Sequence, residues 1–370
     1  MDDDRLIPLA RPYVGSEEVD AVRRVLASRH LAMGPEVAAL EAEVSPMLDH
    51  AGVVAVSSGG AALLVAMSAL DVGPGAEVLV PSYTFPAAAQ AAIFLGATVI
   101  PVDVDEGTLG IAPAMVEPAL SPRTRVVVLA HAFGIPAEVE GVAALCRSRG
   151  VALIEDAACA LGGRTWTGSP SGTLGDIGCF SMHPRKPATS GEGGLVTARD
   201  PVLLARIRRM RDYGRTGTGS GDVFGEVGLN FRMSDLAAAI GRVQVGRLAA
   251  SIRLRANLAQ AYRRRLAGRT DIVIPSGYNR PGQTWQSFVV RLDRPADDVR
   301  QALLDDGIQA GLTAHALTQQ RFWRQRCPDG PACPVGEALA ATMLALPLFD
   351  EMARSQADRV ADRLMARMAG

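Results

Sequence analysis

Lysine is almost missing from this sequence. Of its 38 basic residues all but one are arginine, and the exception is Lys186. On a solvated surface arginine replaces lysine at little cost, but a guanidinium with a pKa above ~12 cannot deprotonate to form a Schiff base. The retained amine therefore marks its own surroundings, the stretch SMHPRKPATSGEGG at 181–194. Long apolar runs are missing too. Each is broken by Gly, Pro or charge well short of the ~20 residues a membrane helix needs, so no span is expected. A formal net charge of -1 argues against general attraction to nucleic acid or a membrane surface, and any anionic ligand must be held by local groups. The opening MDDDRLIPLA has no basic segment leading into an apolar one, so no secretory signal is expected and the expected compartment is the cytoplasm.

Cysteine is scarce and irregular. The five, at 146, 159, 179, 327 and 333, share no spacing and read first as small buried apolar residues in a reducing compartment. Pairing or metal ligation by Cys327 and Cys333 stays open, although structural zinc normally takes four ligands. The motifs HExxH, GxSxG and CxxC do not occur, so the usual zinc, serine-hydrolase and redox readings have no starting point and no metal is expected.

What is present is alternation. The apolar runs GVVAVS (52–57), AEVLVPS (76–82), GATVIPVDV (96–104), TRVVVLAHA (124–132), GVALIEDA (150–157), GDIGCFSM (175–182) and GLVTA (194–198) are mostly separated by amphipathic stretches such as 61–70 and 139–150. Nearly continuous apolar strands alternating with helices predict an α/β fold with a mainly parallel sheet covered on both faces, whose ligands sit outside the carboxyl ends of the strands. The texture changes near 246, where an arginine-rich helical stretch leads into shorter elements. This predicts a large domain over 1–245 and a smaller α+β domain over 246–370. The stretch 202–212 places Leu203, Ile207 and Met210 on one stripe, a solvated amphipathic helix.

Candidate residues gather at the predicted strand ends. Asp156 closes one apolar run, where a carboxylate suits a helix N-cap, a metal ligand or a partner for a protonated pyridine nitrogen. Ser57-Ser58-Gly59-Gly60 opens a helix, and its backbone N–H groups would make a weak phosphate cradle to which Ser181 adds a hydroxyl. His183, the one histidine beside Lys186, is a candidate catalytic residue with Lys186 and Asp156; His30, His50, His131 and His315 are scattered.

Taken in order, SSGGAALLVAMSAL, PSYTFPAAAQAAIFLGATVIPVDVD, ALIEDAACALGG, GDIGCFSMHPRKPATSGEGGLVT, GLNFRMSDLAAAIG and LALPLFDEM resemble the DegT/StrS-type sugar aminotransferases nearly end to end. The resemblance implies pyridoxal phosphate as cofactor and the aspartate aminotransferase-like fold of type I. It makes Lys186 the Schiff-base lysine and proton carrier and Asp156 the partner of the pyridine nitrogen. Phe85 would stack on the ring, and Gly59, Gly60 and Ser181 would hold the phosphate. Asn230 would reach the neighbouring subunit's cofactor, implying a homodimer with shared active sites. The partners implied are an amino donor, L-glutamate or L-glutamine, and a keto acceptor, a nucleotide-linked keto-sugar or a cyclitol. The chain departs from the family's usual residues at Gly60 (Thr or Ser), Cys159 (Gln, which contacts the cofactor's O3′), Leu161 (often His) and the segment HALTQQRFW around His315. Those departures leave a different reaction on the same cofactor as one alternative, an elimination, racemisation or condensation, and a catalytically silent relative as another. Retention of Lys186 argues against the family's dehydratase branch, which carries histidine there.

Overall fold

The structure, a computed structural model, describes residues 6–49, 51–217, 223–327 and 330–369; His50 lies outside them. Seven strands form the main sheet: β1 (Gly52–Val56), β2 (Glu77–Pro81), β3 (Thr98–Val102), β4 (Thr124–Ala130), β5 (Ala152–Asp156), β6 (Ile177–Ser181) and β7 (Gly194–Ala198). Their spatial order is β1-β7-β6-β5-β4-β2-β3. All run in one direction except β7, which is antiparallel to both β1 and β6.

Side chains along a strand alternate between faces, and both faces here are apolar. Val54 and Val56 join a buried cluster with Leu63 and Met67 of the helix Gly59–Ala69. Val53 and Ala55, one residue out of phase, join Leu40 and Leu248 on the other face. This double burial is why the strands read as unbroken apolar runs. The helix Pro201–Met210 buries Leu204, Ile207 and Met210. Leu203, expected on that stripe, is only half-buried, and two arginines of the helix are paired, Arg206 with Asp71 at 2.6 Å and Arg209 with Glu226.

A second sheet is antiparallel throughout: β8 (Ile272–Val273), β9 (Phe288–Leu292), β10 (Gly311–Leu312) and β11 (Met343–Leu346), in the order β10-β11-β9-β8. Residue 246 falls inside one 31-residue helix, Asp235–Arg265. Its first half holds the N-terminal helix, where Gln244 Nε2 donates to Glu18 Oε1 at 2.7 Å. Its end meets the last helix, with Arg265 Nε 2.5 Å from Asp362 Oδ1. One buried cluster includes Leu79 and Val127 of the main sheet together with Phe288 and Leu344 of the second. Among the described residues no helix is long and apolar enough to cross a membrane.

Candidate active site

The carboxyl ends of β1, β5 and β6 lie along one edge of the sheet because these strands run in the same direction, and the antiparallel β7 starts there between β1 and β6. Gly194 pairs with Val56 on one side and Ser181 on the other. A Cβ at Gly194 would lie 2.4 Å from the Ser58 carbonyl oxygen, so only glycine lets the backbone pass this close. The turn after β1 then opens the helix Gly59–Ala69, with Ser58 as N-cap accepting the Ala61 N–H at 3.1 Å. The first N–H groups of a helix have no intrahelical acceptor and sit at the positive end of its dipole. A Cβ at Gly59 would lie 2.8 Å from Ser181 Cβ, whereas one at Gly60 would meet nothing closer than Ser58 Oγ at 3.8 Å. The sequence thus places Ser58, Gly59 and Ser181 around one small, positively polarised cradle that suits a phosphate.

Lys186 stands on the loop after β6. Met182 closes that loop, its N–H bonded to the Gly193 carbonyl and its carbonyl accepting the Ser190 N–H at 2.9 Å. Within the loop the Lys186 N–H donates to the His183 carbonyl at 2.9 Å, the Arg185 N–H donates to His183 Nδ1 at 3.2 Å, and the His183 N–H donates to Ser181 Oγ at 3.3 Å. Burial, opposed by Glu192 and reinforced by Lys186 and Arg185, holds the His183 ring below its ordinary pKa. The Lys186 amine points back to the sheet and donates to Cys159 Sγ at 3.0 Å.

Asp156 ends β5 close to that amine. Part of the residue is accessible, but protein packs closely round the carboxyl. That burial raises its pKa, against the Ala158 N–H at 3.1 Å and the nearby charge of Lys186. A cation docking against it would find a carboxylate short of water. Phe85 is 68% exposed, 6.3 Å from the His315 ring, because His315–Ala316 pairs with Tyr83–Thr84 as a short ribbon. Asn230 is exposed. It accepts the Arg232 N–H at 3.4 Å, and Arg232 bridges Val56. Leu161 is buried, and all five cysteines are free.

Lys186, Cys159, Asp156, Ser181 and Gly59 are therefore neighbours, while Phe85 and Asn230 are open side chains on flanking segments. Three residues next to the site, Glu155, Thr284 and Gln286, carry no mark in the sequence, and a fourth, His131, reads there only as one of the scattered histidines. His131 and Glu155 form a fully buried pair at 2.8 Å. His131 Nδ1 accepts the Ala137 N–H, which places the ring proton on Nε2, facing Glu155. Thr284 Oγ1 donates to the Cys159 carbonyl at 2.5 Å, and Gln286 Nε2 to the Arg185 carbonyl at 3.2 Å. Trp285 between them has φ 55, a left-handed conformation unfavourable for a bulky residue, held where its ring stacks 5.0 Å from Tyr278. The segment QTWQ has neither strand nor helix periodicity, so only its contacts reveal it.

Comparison with known proteins bears on this geometry. The family described as DegT/DnrJ/EryC1/StrS aminotransferase matches residues 12–365. The chain is 35% identical over 353 residues to a UDP-N-acetyl-3-dehydro-alpha-D-glucosamine 3-aminotransferase of Acidithiobacillus ferrooxidans, covering 93% of this chain and 92% of that one. Among solved structures it is similar to the aminotransferase TlmJ of Streptoalloteichus hindustanus, with TM-score 0.92, 32% identity and coverage of 98% and 99%. It is also similar to DesV of S. venezuelae, with TM-score 0.90, 31% identity and 99% of each chain covered. The expected fold type I architecture is thereby borne out, and the protein is an enzyme of the aminotransferase class. The chain belongs to the DegT/DnrJ/EryC1/StrS aminotransferase family.

Proposed function

We propose that the enzyme uses pyridoxal phosphate to move an amino group from L-glutamate or L-glutamine to the ketone of a nucleotide-linked sugar. The observation that carries this reading is the convergence of the chain's one lysine with Asp156 and the Gly59–Ser181 cradle at three strand ends. The donor set fits the cofactor: an amine for its carbonyl, a half-open buried carboxylate for its ring cation, and helix N–H groups with a serine hydroxyl for its phosphate. When bound, the cofactor supplies an electron-withdrawing ring that accepts the electron pair released at the donor's carbon. Lys186 would hold the cofactor through its amine and, as a free amine, would take up and return the proton that moves during transfer, a role worth ~10²–10⁴-fold in rate. Asp156 would hold the proton of the ring nitrogen, and Phe85 would stack on the ring. His183 acts through Ser181 and Arg185 as a positioning residue. Cys159 would stand where the family's glutamine contacts the cofactor's O3′, and a thiol is the weaker donor.

In this reading the enzyme is a cytoplasmic homodimer, and Asn230 reaches the partner's cofactor phosphate. The exposed apolar residues Phe224, Val227 and Leu229 beside Asn230 support such a contact. Gly60 leaves room for an acceptor or cofactor group where a hydroxyl would otherwise stand. The name of the Acidithiobacillus relative supports a UDP-linked 3-keto-sugar as the first acceptor to try. The test is incubation with ¹⁵N-amine L-glutamate and a panel of keto-sugar nucleotides and cyclitol ketones. The expected result is ¹⁵N in an amino-sugar nucleotide together with 2-oxoglutarate. Transfer to cyclitol ketones alone, or loss of the glutamate α-proton without transfer to any acceptor, would overturn it.

A further inference from the structure

The sequence supplies five thiols and one side-chain amine, and the fold brings one of the five into contact with that amine. Lys186 Nζ is 3.0 Å from Cys159 Sγ. Thr284 fixes the backbone at Cys159, and Gln286 fixes it at Arg185, so the two side chains face each other from tethered segments. Both residues are half-buried, so each keeps part of its surface open to small solutes. Cys146, Cys179 and Cys333 are buried, and burial pushes their thiols up, Cys146 and Cys333 to about 11. A buried, protonated thiol is a poor nucleophile. Cys327 is half-buried and has no lysine to meet, since the chain holds only one.

We propose that Cys159 and Lys186 form an oxidative cross-link site whose substrate is a peroxide. Hydrogen peroxide oxidises the Cys159 thiol to a sulfenic acid and is itself reduced to water. The Lys186 amine then attacks the sulfur, an S–N bond forms, the S–O bond breaks, and a second water leaves with the amine's proton. Sulfenic acids condense in this way with a thiol or a nearby nitrogen, and here the neighbour in reach is an amine. The net change is loss of two hydrogens from the protein. A thiol reductant reverses it by attacking sulfur and returning the amine. While the bond stands, the only side-chain nitrogen able to hold a carbonyl is occupied. The cross-link rests on the observed contact and does not depend on which cofactor or acceptor the enzyme uses.

The test takes the full chain, freed of cofactor by dialysis against hydroxylamine and then against buffer, treats it with hydrogen peroxide, and digests it with trypsin without reductant. Arginine positions place Cys159 in the peptide 150–164 and Lys186 in 186–199. The expected product is these two peptides joined, at their summed mass less two hydrogens. Lys186 should resist an amine-acetylating reagent until dithiothreitol is added. The variant C159S should give neither change, whereas C327S should give both, which separates the cross-link from general oxidation. Progress of Cys159 to sulfinic or sulfonic acid with Lys186 still fully acetylated would overturn the proposal. So would protection of Lys186 in C159S, or a Cys159 that stays reduced while Cys327 is oxidised.

Discussion

At Gly59 a single hydrogen decides whether the cradle exists. Because a Cβ would press to 2.8 Å from Ser181 Cβ, Gly59→Ala should cost about 1–3 kcal/mol of stability, the usual range for overpacking, and weaken retention of inorganic phosphate. Gly60→Ser, one residue on, enters open space and should leave the urea midpoint unchanged or slightly raised while restoring a hydroxyl. Equilibrium urea unfolding of both variants checks the contrast. Phe85 allows a cleaner separation of stability from binding. It is largely exposed, so Phe85→Ala should change stability by less than about 0.5 kcal/mol. Lost ring stacking of about 1 kcal/mol should weaken pyridoxal phosphate about fivefold in a fluorescence titration. The sequence pointed to Lys186, Asp156 and Ser181 because each carries chemistry at a strand end. It could not reveal that Cys159 meets the lysine, since that depends on how a 27-residue excursion closes.

Among the elements, β5 does more than present Asp156. Its Glu155 points to the opposite face, fully buried, and accepts hydrogen bonds from His131 Nε2 at 2.8 Å and from the N–H groups of Gly172, Leu174 and Gly175 at 2.6–2.8 Å. The loop entering β6 is thus tied to the strand that carries the candidate carboxylate. Burial alone would push the Glu155 pKa up. The His131 hydrogen bond and the Gly175 and Gly172 N–H groups outweigh it and hold the carboxyl below its ordinary 4.5. A carboxyl with a lowered folded pKa stabilises the fold fully above its unfolded value and loses that contribution as pH falls through the folded one. Glu155→Gln puts an amide donor among donors, so at neutral pH it should destabilise by about 2–3 kcal/mol. Its unfolding free energy should also fall less steeply with acidification below about 4.5 than that of the unaltered protein. Urea titrations on both sides of that pH read both effects. The positions of the seven main strands were legible as apolar runs. The reversed direction of β7 was not, because a strand buried on both faces carries no mark of its direction, and pairing with Val56 and Ser181 decides it.

For the molecule as a whole, the helix Asp235–Arg265 makes the division near residue 246 a change in packing partners along one rod. The sequence showed the change of texture there, from alternating strands and helices to an arginine-rich helix, and could not show that the helix began eleven residues earlier. The shared cluster from Leu79 to Phe288 predicts that the two parts unfold together: tyrosine fluorescence and far-ultraviolet circular dichroism should give coincident urea transitions. Two separated transitions would show independent units. Lys186 is the chain's one lysine, which makes its bond to the cofactor directly measurable. The protein is loaded with pyridoxal phosphate, reduced with borohydride and digested with trypsin. One modified internal peptide, 186–199, should carry the phosphopyridoxyl group, and Lys186→Arg should carry none at any internal position. Cofactor found only on the N-terminal amine, or retained without any bond to Lys186, would contradict it.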